Sequence, residues 1–198
     1  MAAETRLSVS GHVRPPSCTM QLPQINHGAI NLHSLSPTGF SQLSPTTFEL
    51  SIHCAGPASF ALSFRDRRAG SVPDGIEAEL GERTLLFGLG RLEGKSIGAY
   101  ALRFLWAHWD GPGVAYGISR VGADGSWADD YGSMINPASE EDRQYSWSRP
   151  RDMGAPGMFR VLQANLVMLT ALNPTEQLPG AATGLTLDGE ATVTLFYL

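Results

Sequence analysis

The sequence predicts an all-β fold, a two-layer sandwich of short strands. Three observations carry that reading. Apolar and polar residues alternate along several short runs, the period of a strand with one buried face. Glycine (22) and proline (13) fall between those runs as turn punctuation. Apart from one ambiguous stretch, no segment keeps a helical period over the length of a helix. At 198 residues the chain suits one such domain, or at most two small ones, and a hydrophobic content of 42% is enough for a packed core.

The elements follow in order. Leu7 and Val9 alternate with polar neighbours in the run from Thr5 to Ser10. Gly11 then precedes Val13, Pro15, Pro16 and Cys18. Phe48, Leu50, Ile52 and Cys54 share one face of a strand over 47–54. A second alternating run, 59–64, follows Gly56-Pro57, so the two are expected to pair as a hairpin. Further strands are expected at 84–89, 97–106, 114–121, 159–172 and 185–187. The run 159–172 is ambiguous, because Val161, Leu162, Leu166, Met168 and Leu169 also suit a helix; flanking Gly157 and Pro174 favour a strand. Residues 122–157, acidic and poor in aliphatics, are expected as a long surface excursion.

The last run carries the most information. Ala191, Val193, Leu195 and Tyr197 alternate with Thr192, Thr194 and Phe196, and only Leu198 follows in the sequence. An apolar edge strand left bare templates pairing with another chain. The expectation is that a partner for this strand comes from another molecule.

Charge and motifs narrow the function classes. A net charge of -5, with thirteen arginines, only Lys95 and no basic run, argues against nucleic acid as a partner. No stretch has the length of a transmembrane helix. The polar start, Met1-Ala2-Ala3-Glu4, fits either a cytosolic chain or a mature exported one. His12, His27, His33, His53 and His108 show no metal-ligand spacing, and no nucleophile elbow or phosphate-binding loop is present. The acidic stretch 124–130 lacks the spacing of a calcium loop. No catalytic residues, cofactor or metal are therefore expected. Among the tryptophans, Trp106 is expected in the core. Trp127 and Trp147, in the polar excursion, are the candidates for stacking a sugar, with plain anchoring of the loop as the preferred alternative. Cys18 and Cys54 allow one disulfide or two buried thiols.

The segment Gly11-His12-Val13-Arg14-Pro15-Pro16-Ser17-Cys18 resembles the start of mature pilin subunits of the chaperone–usher pathway. Cys54 at the end of an alternating strand and the penultimate Tyr197 resemble the same family. The wording of 47–64 and 189–198 is similar to a fimbrial-type family catalogued as a domain of unknown function. The resemblance implies an incomplete immunoglobulin-like β-sandwich over 11–198 that lacks its last strand. It implies a Cys18–Cys54 disulfide, and a donor-strand extension over 1–10 carrying Thr5, Leu7 and Val9. Ala191, Val193, Leu195 and Tyr197 would line the groove, with the Leu198 carboxylate as a chaperone anchor. The implied partners are a periplasmic chaperone, an usher and neighbouring subunits. The implied location is the periplasm, then the fimbrium of a Gram-negative cell. A tip adhesin or carbohydrate-binding module binding host glycan through 122–157 is the alternative. The extension is short, and Thr5 stands near the place where many such subunits have glycine.

Overall fold

The computed structural model describes residues 16–130, 132–137, 143–149, 154–178 and 185–198. It is all-β, in antiparallel sheets wrapped into a nearly closed barrel or sandwich. The strands are β1 (Cys18–Gln21), β2 (Ser41–Gln42), β3 (Thr46–Ala58), β4 (Phe60–Asp66), β5 (Phe87–Gly88), β6 (Arg91–Leu92) and β7 (Lys95–Ser96). They continue as β8 (Gly98–Trp109), β9 (Val114–Val121), β10 (Ala128–Asp129), β11 (Arg143–Ser148), β12 (Phe159–Leu172) and β13 (Ala191–Tyr197). The main path runs β1-β3-β12-β8-β9-β11-β4-β13; β2, β5 and β10 attach to β12, β8 and β9, and β6 pairs only β7.

The alternation seen in the sequence builds the core. Leu50, Ile52 and Cys54 of β3 meet Phe60, Leu62 and Phe64 of β4 across one cluster, joined by Leu162, Ala164, Leu166 and Met168 of β12. That even-numbered phase resolves 159–172 as a strand, because a helix would scatter these positions around its circumference. The odd positions of β8 and β12 face the other way. Ala99, Ala101 and Ala171 pack against Val72, Ile76, Leu80 and Leu86 in a second cluster, under the single-turn helix α1 (Glu77–Leu80). The small side chains leave room for this cover, so β8 and β12 are buried on both faces there.

Several expectations change. The runs 47–54 and 59–64 do not form a hairpin: β3 pairs with β1 and β12, whereas β4 pairs with β11 and β13. Gly56-Pro57 lies inside β3, and only Ser59 separates the two strands. The even phase runs unbroken from Leu50 to Phe64, so the chain crosses from one wall of the core to the other without reversing. Alternation alone does not distinguish that crossing from a hairpin.

The excursion 122–157 contains β10 and β11. Trp147 lies on β11 and is 2% exposed, edge-on to Phe104 with ring centroids 5.2 Å apart. Trp106, expected in the core, is 48% exposed. An irregularity in the β8–β12 register explains it. Phe104 faces Leu166 and Ala107 faces Ala164, so β8 holds one extra residue between them, and Trp106 is turned outward while Ala107 enters the core. A 3-10 turn, Arg83–Leu85, precedes β5 in place of the first part of the expected strand, and 185–187 are not a strand, although Leu185 and Leu187 pack on the core.

Tyr145 reports on this core. It is 2% exposed, and its hydroxyl accepts the Asn136 N–H at 2.6 Å. Burial pushes its pKa up to about 12, against the smaller opposing effect of that N–H. Folding therefore favours the neutral phenol. This contribution is intact below the unfolded value near 10 and is lost as pH rises through about 12. In a titration followed at 295 nm, Tyr145→Phe should leave the phenolate signal below about pH 11 unchanged; a smaller signal in the variant would place Tyr145 in a wet site.

Candidate functional site: an open cleft between two sheet edges

The main path begins at β1 and ends at β13, and these two strands are not paired with each other. Their outer edges have no strand partner among the described residues, and a hydrogen bond from Cys18 to Tyr197 sets them facing each other; the space between these two walls is termed the cleft. Which backbone groups face it follows from the register. Ala55 N–H donates to Ser17 C=O at 2.9 Å, so residues 17, 19 and 21 are the ones that bond to β3. Cys18 and Met20 therefore turn their N–H and C=O outward. On β13, Glu190 C=O accepts from Arg67 N–H (2.9 Å) and Leu198 N–H donates to Ser59 C=O (3.0 Å). Even-numbered residues of β13 thus bond to β4, and Ala191, Val193, Leu195 and Tyr197 present their backbone groups to the cleft.

The side chains follow the same phase. Ala191, Val193 and Leu195 are partly buried and pack against the main core, while Tyr197 and Leu198 are 43% and 48% exposed. Along β13 every residue is at best half-buried, unlike β4 beside it. Core-facing side chains with a bare backbone edge describe a strand covered on one side only.

Each wall is pinned. β1 is tied to β3 by the Cys18–Cys54 disulfide, 36 residues apart in sequence. The start of β13 is held by a polar cluster. Arg68, partly exposed, makes ion pairs with the well exposed Asp188 (3.0 Å) and Glu190 (3.2 Å), and these pairs are therefore of small energetic weight. The backbone does more: Asp188 N–H donates to Leu89 C=O at 3.1 Å. Beneath them Asp66 accepts the N–H groups of Arg68 and Gly88, each at 2.7 Å. Burial raises its pKa, and those two N–H groups pull the other way. A Cβ at Gly88 would collide with the Arg68 carbonyl and Ser71 Oγ, so only glycine allows this approach.

One contact crosses the cleft. The hydroxyl of Tyr197 accepts the outward N–H of Cys18 at 2.7 Å. The sequence placed both residues at the site without showing that they touch. The signal was present in principle, since both fall in the outward phase of their strands.

The expected donor residues Thr5, Leu7 and Val9 lie outside the described residues. Of the two tryptophans proposed for a ligand loop, Trp147 is buried in the core and has no face to offer. Trp127 is half-buried, with the Arg120 guanidinium 4.7 Å above its ring. It lines a cavity of about 220 Å³ with Tyr116, Ile118, Asp129 and Ser148, on the side of the sheet away from the core. Ser148 Oγ is buried there with no hydrogen-bond partner among the described residues. Among the described residues no group of three or more His, Cys, Asp or Glu is placed to hold a metal ion, and no helix is long and apolar enough to cross a membrane.

Residues 7–101 match the model of a family described as "Protein of unknown function (DUF1120)". That span takes in β1, β3, β4 and the start of β8, and stops short of β12 and β13. No curated protein matches the chain.

Replacing Cys18 and Cys54 together by serine should cost about 3–4 kcal/mol, the chain entropy of an open 36-residue loop. The unfolding free energy extrapolated from urea should fall by that amount, with a steeper slope because the unlinked denatured chain is more expanded; an unchanged unfolding free energy would show that the link adds no stability.

Proposed function

We propose that the chain is a structural subunit of a bacterial surface fimbria, assembled by donation of a β-strand. In this reading the sandwich is immunoglobulin-like and lacks its last strand. The observation that carries it is the cleft: two edges without a strand partner among the described residues, with the partly buried Ala191, Val193 and Leu195 along one wall. An extended segment added there would gain main-chain hydrogen bonds for affinity and side-chain pockets for specificity.

The proposed occupant is residues 5–9 of a second copy or a related subunit. Thr5, Leu7 and Val9 supply three alternating side chains for the three inward positions of β13. A periplasmic chaperone would fill the cleft first, with the Leu198 carboxylate as its anchor, and an usher would oversee the exchange. The disulfide supports export, because such links persist in oxidising compartments. The family match is consistent with this reading and adds no activity to it. The reading assigns no catalytic residue.

A peptide of residues 2–10 added at about 100 times its Kd should stabilise the protein by roughly 2.7 kcal/mol, a rise in Tm of about 5–10 °C. Leu7→Asp with Val9→Asp in the peptide, or Leu195→Asp in the protein, should abolish the rise. No rise with the native pair would remove the proposal.

A second reading, glycan binding, keeps one specific observation in its favour: the cavity beside Trp127 with the unpartnered Ser148 hydroxyl. If it holds, a glycan array gives hits that Trp127→Ala abolishes and Trp106→Ala does not. An array without hits, or hits indifferent to Trp127, ends it.

A further inference from the structure

We propose that Tyr197 is a crossbar: it closes one end of the β1–β13 cleft and limits the entering strand to the stretch that faces Ala191–Leu195. The inference rests on the strand-donation reading and adds a residue that sets how long the donated strand is.

The geometry starts from the phase of β13. Ala191, Val193 and Leu195 send their side chains against the core. Tyr197 shares their phase but is 43% exposed, and its hydroxyl reaches the Cys18 N–H on the opposite wall at 2.7 Å. Its side chain therefore spans the cleft. In a continued sheet that space belongs to the backbone of an intervening strand, about 4.8 Å from each neighbour. The donated N–H is one that a new strand would otherwise use, because Cys18 turns its backbone away from β3. Its wall does not yield readily, since Cys18 is tied to Cys54. At the other end of β13 no side chain is seen to bridge the two walls among the described residues.

A strand lying in the cleft can use the outward groups of residues 191, 193 and 195 without meeting the phenol. One more step brings it onto the ring. The segment that fits has three alternating inward side chains over five residues, which is the pattern of Thr5, Leu7 and Val9. The partner is thus a short extended segment of a second copy or related subunit.

The test uses the full chain and three labelled peptides: residues 4–10, and the same segment with Val-Thr added at its N-terminal or its C-terminal end. With the native protein, lengthening at one of the two ends should change the Kd by no more than twofold, because that end abuts Tyr197. In Tyr197→Ala the same lengthening should tighten binding about fivefold, the yield of one further pair of strand contacts. Tyr197→Phe keeps the ring and should keep the native pattern. If Tyr197→Ala does not fold, Tyr197→Leu is too short to cross the cleft and serves in its place. A native protein that gains about fivefold from both extensions, or an opened variant that gains at neither end, overturns the crossbar and leaves strand donation standing. A native protein that binds none of the peptides overturns both.

Discussion

Among the described residues the sheet does not close on itself, and the rest of the structure is arranged around that fact. β13 contributes Ala191, Val193 and Leu195 to the core, yet the backbone of those same residues faces a gap. Burial and hydrogen bonding, which a central strand satisfies together, are separated here. One side of β13 is complete against β4; the other offers donors and acceptors that only water or another strand can meet. Such an edge is costly to leave bare and useful to fill, which is why we read it as an assembly site.

The walls must hold their shape for the gap to be specific. The disulfide is placed where it serves both needs. Cys18 sits opposite Cys54 at a pair that does not exchange backbone bonds, where cross-strand side chains lie closest. The same register turns the backbone N–H of residue 18 into the cleft, where Tyr197 accepts it. On the far wall, the backbone bonds Arg67 N–H to Glu190 C=O and Asp188 N–H to Leu89 C=O fasten the start of β13, and Asp66 ties Arg68 to Gly88 beneath them. Both walls are thus fixed by links outside the cleft.

Much of the fold was legible because burial on one face leaves a period of two. The strands over 114–121, 159–172 and 191–197 have the bounds that the alternation gives. The failures have definite causes. The hairpin was misread because β3 and β4 share one unbroken phase, which alternation does not tell from a reversal. Trp106 was misplaced because an extra residue in β8 flips its side, a feature with no mark in a single sequence. Trp147 was judged by its polar surroundings, although Tyr145 and Trp147 alternating with Ser146 and Ser148 already spelled a strand. The candidate site was legible as a strand with an exposed edge. Its second wall, the first strand after Gly11, came only from the family resemblance, and the Tyr197 crossing was not legible, because both depend on which edges the topology brings together.

Amide hydrogen exchange along β13 tests the central claim most directly. In the isolated protein the amides of Val193 and Leu195 should exchange fast and those of Thr192, Thr194 and Phe196 slowly, since only the even positions bond to β4. A bound donor strand should slow the odd positions to match. Equal protection of odd and even amides without any added strand would mean that the edge is already covered, and would contradict the account.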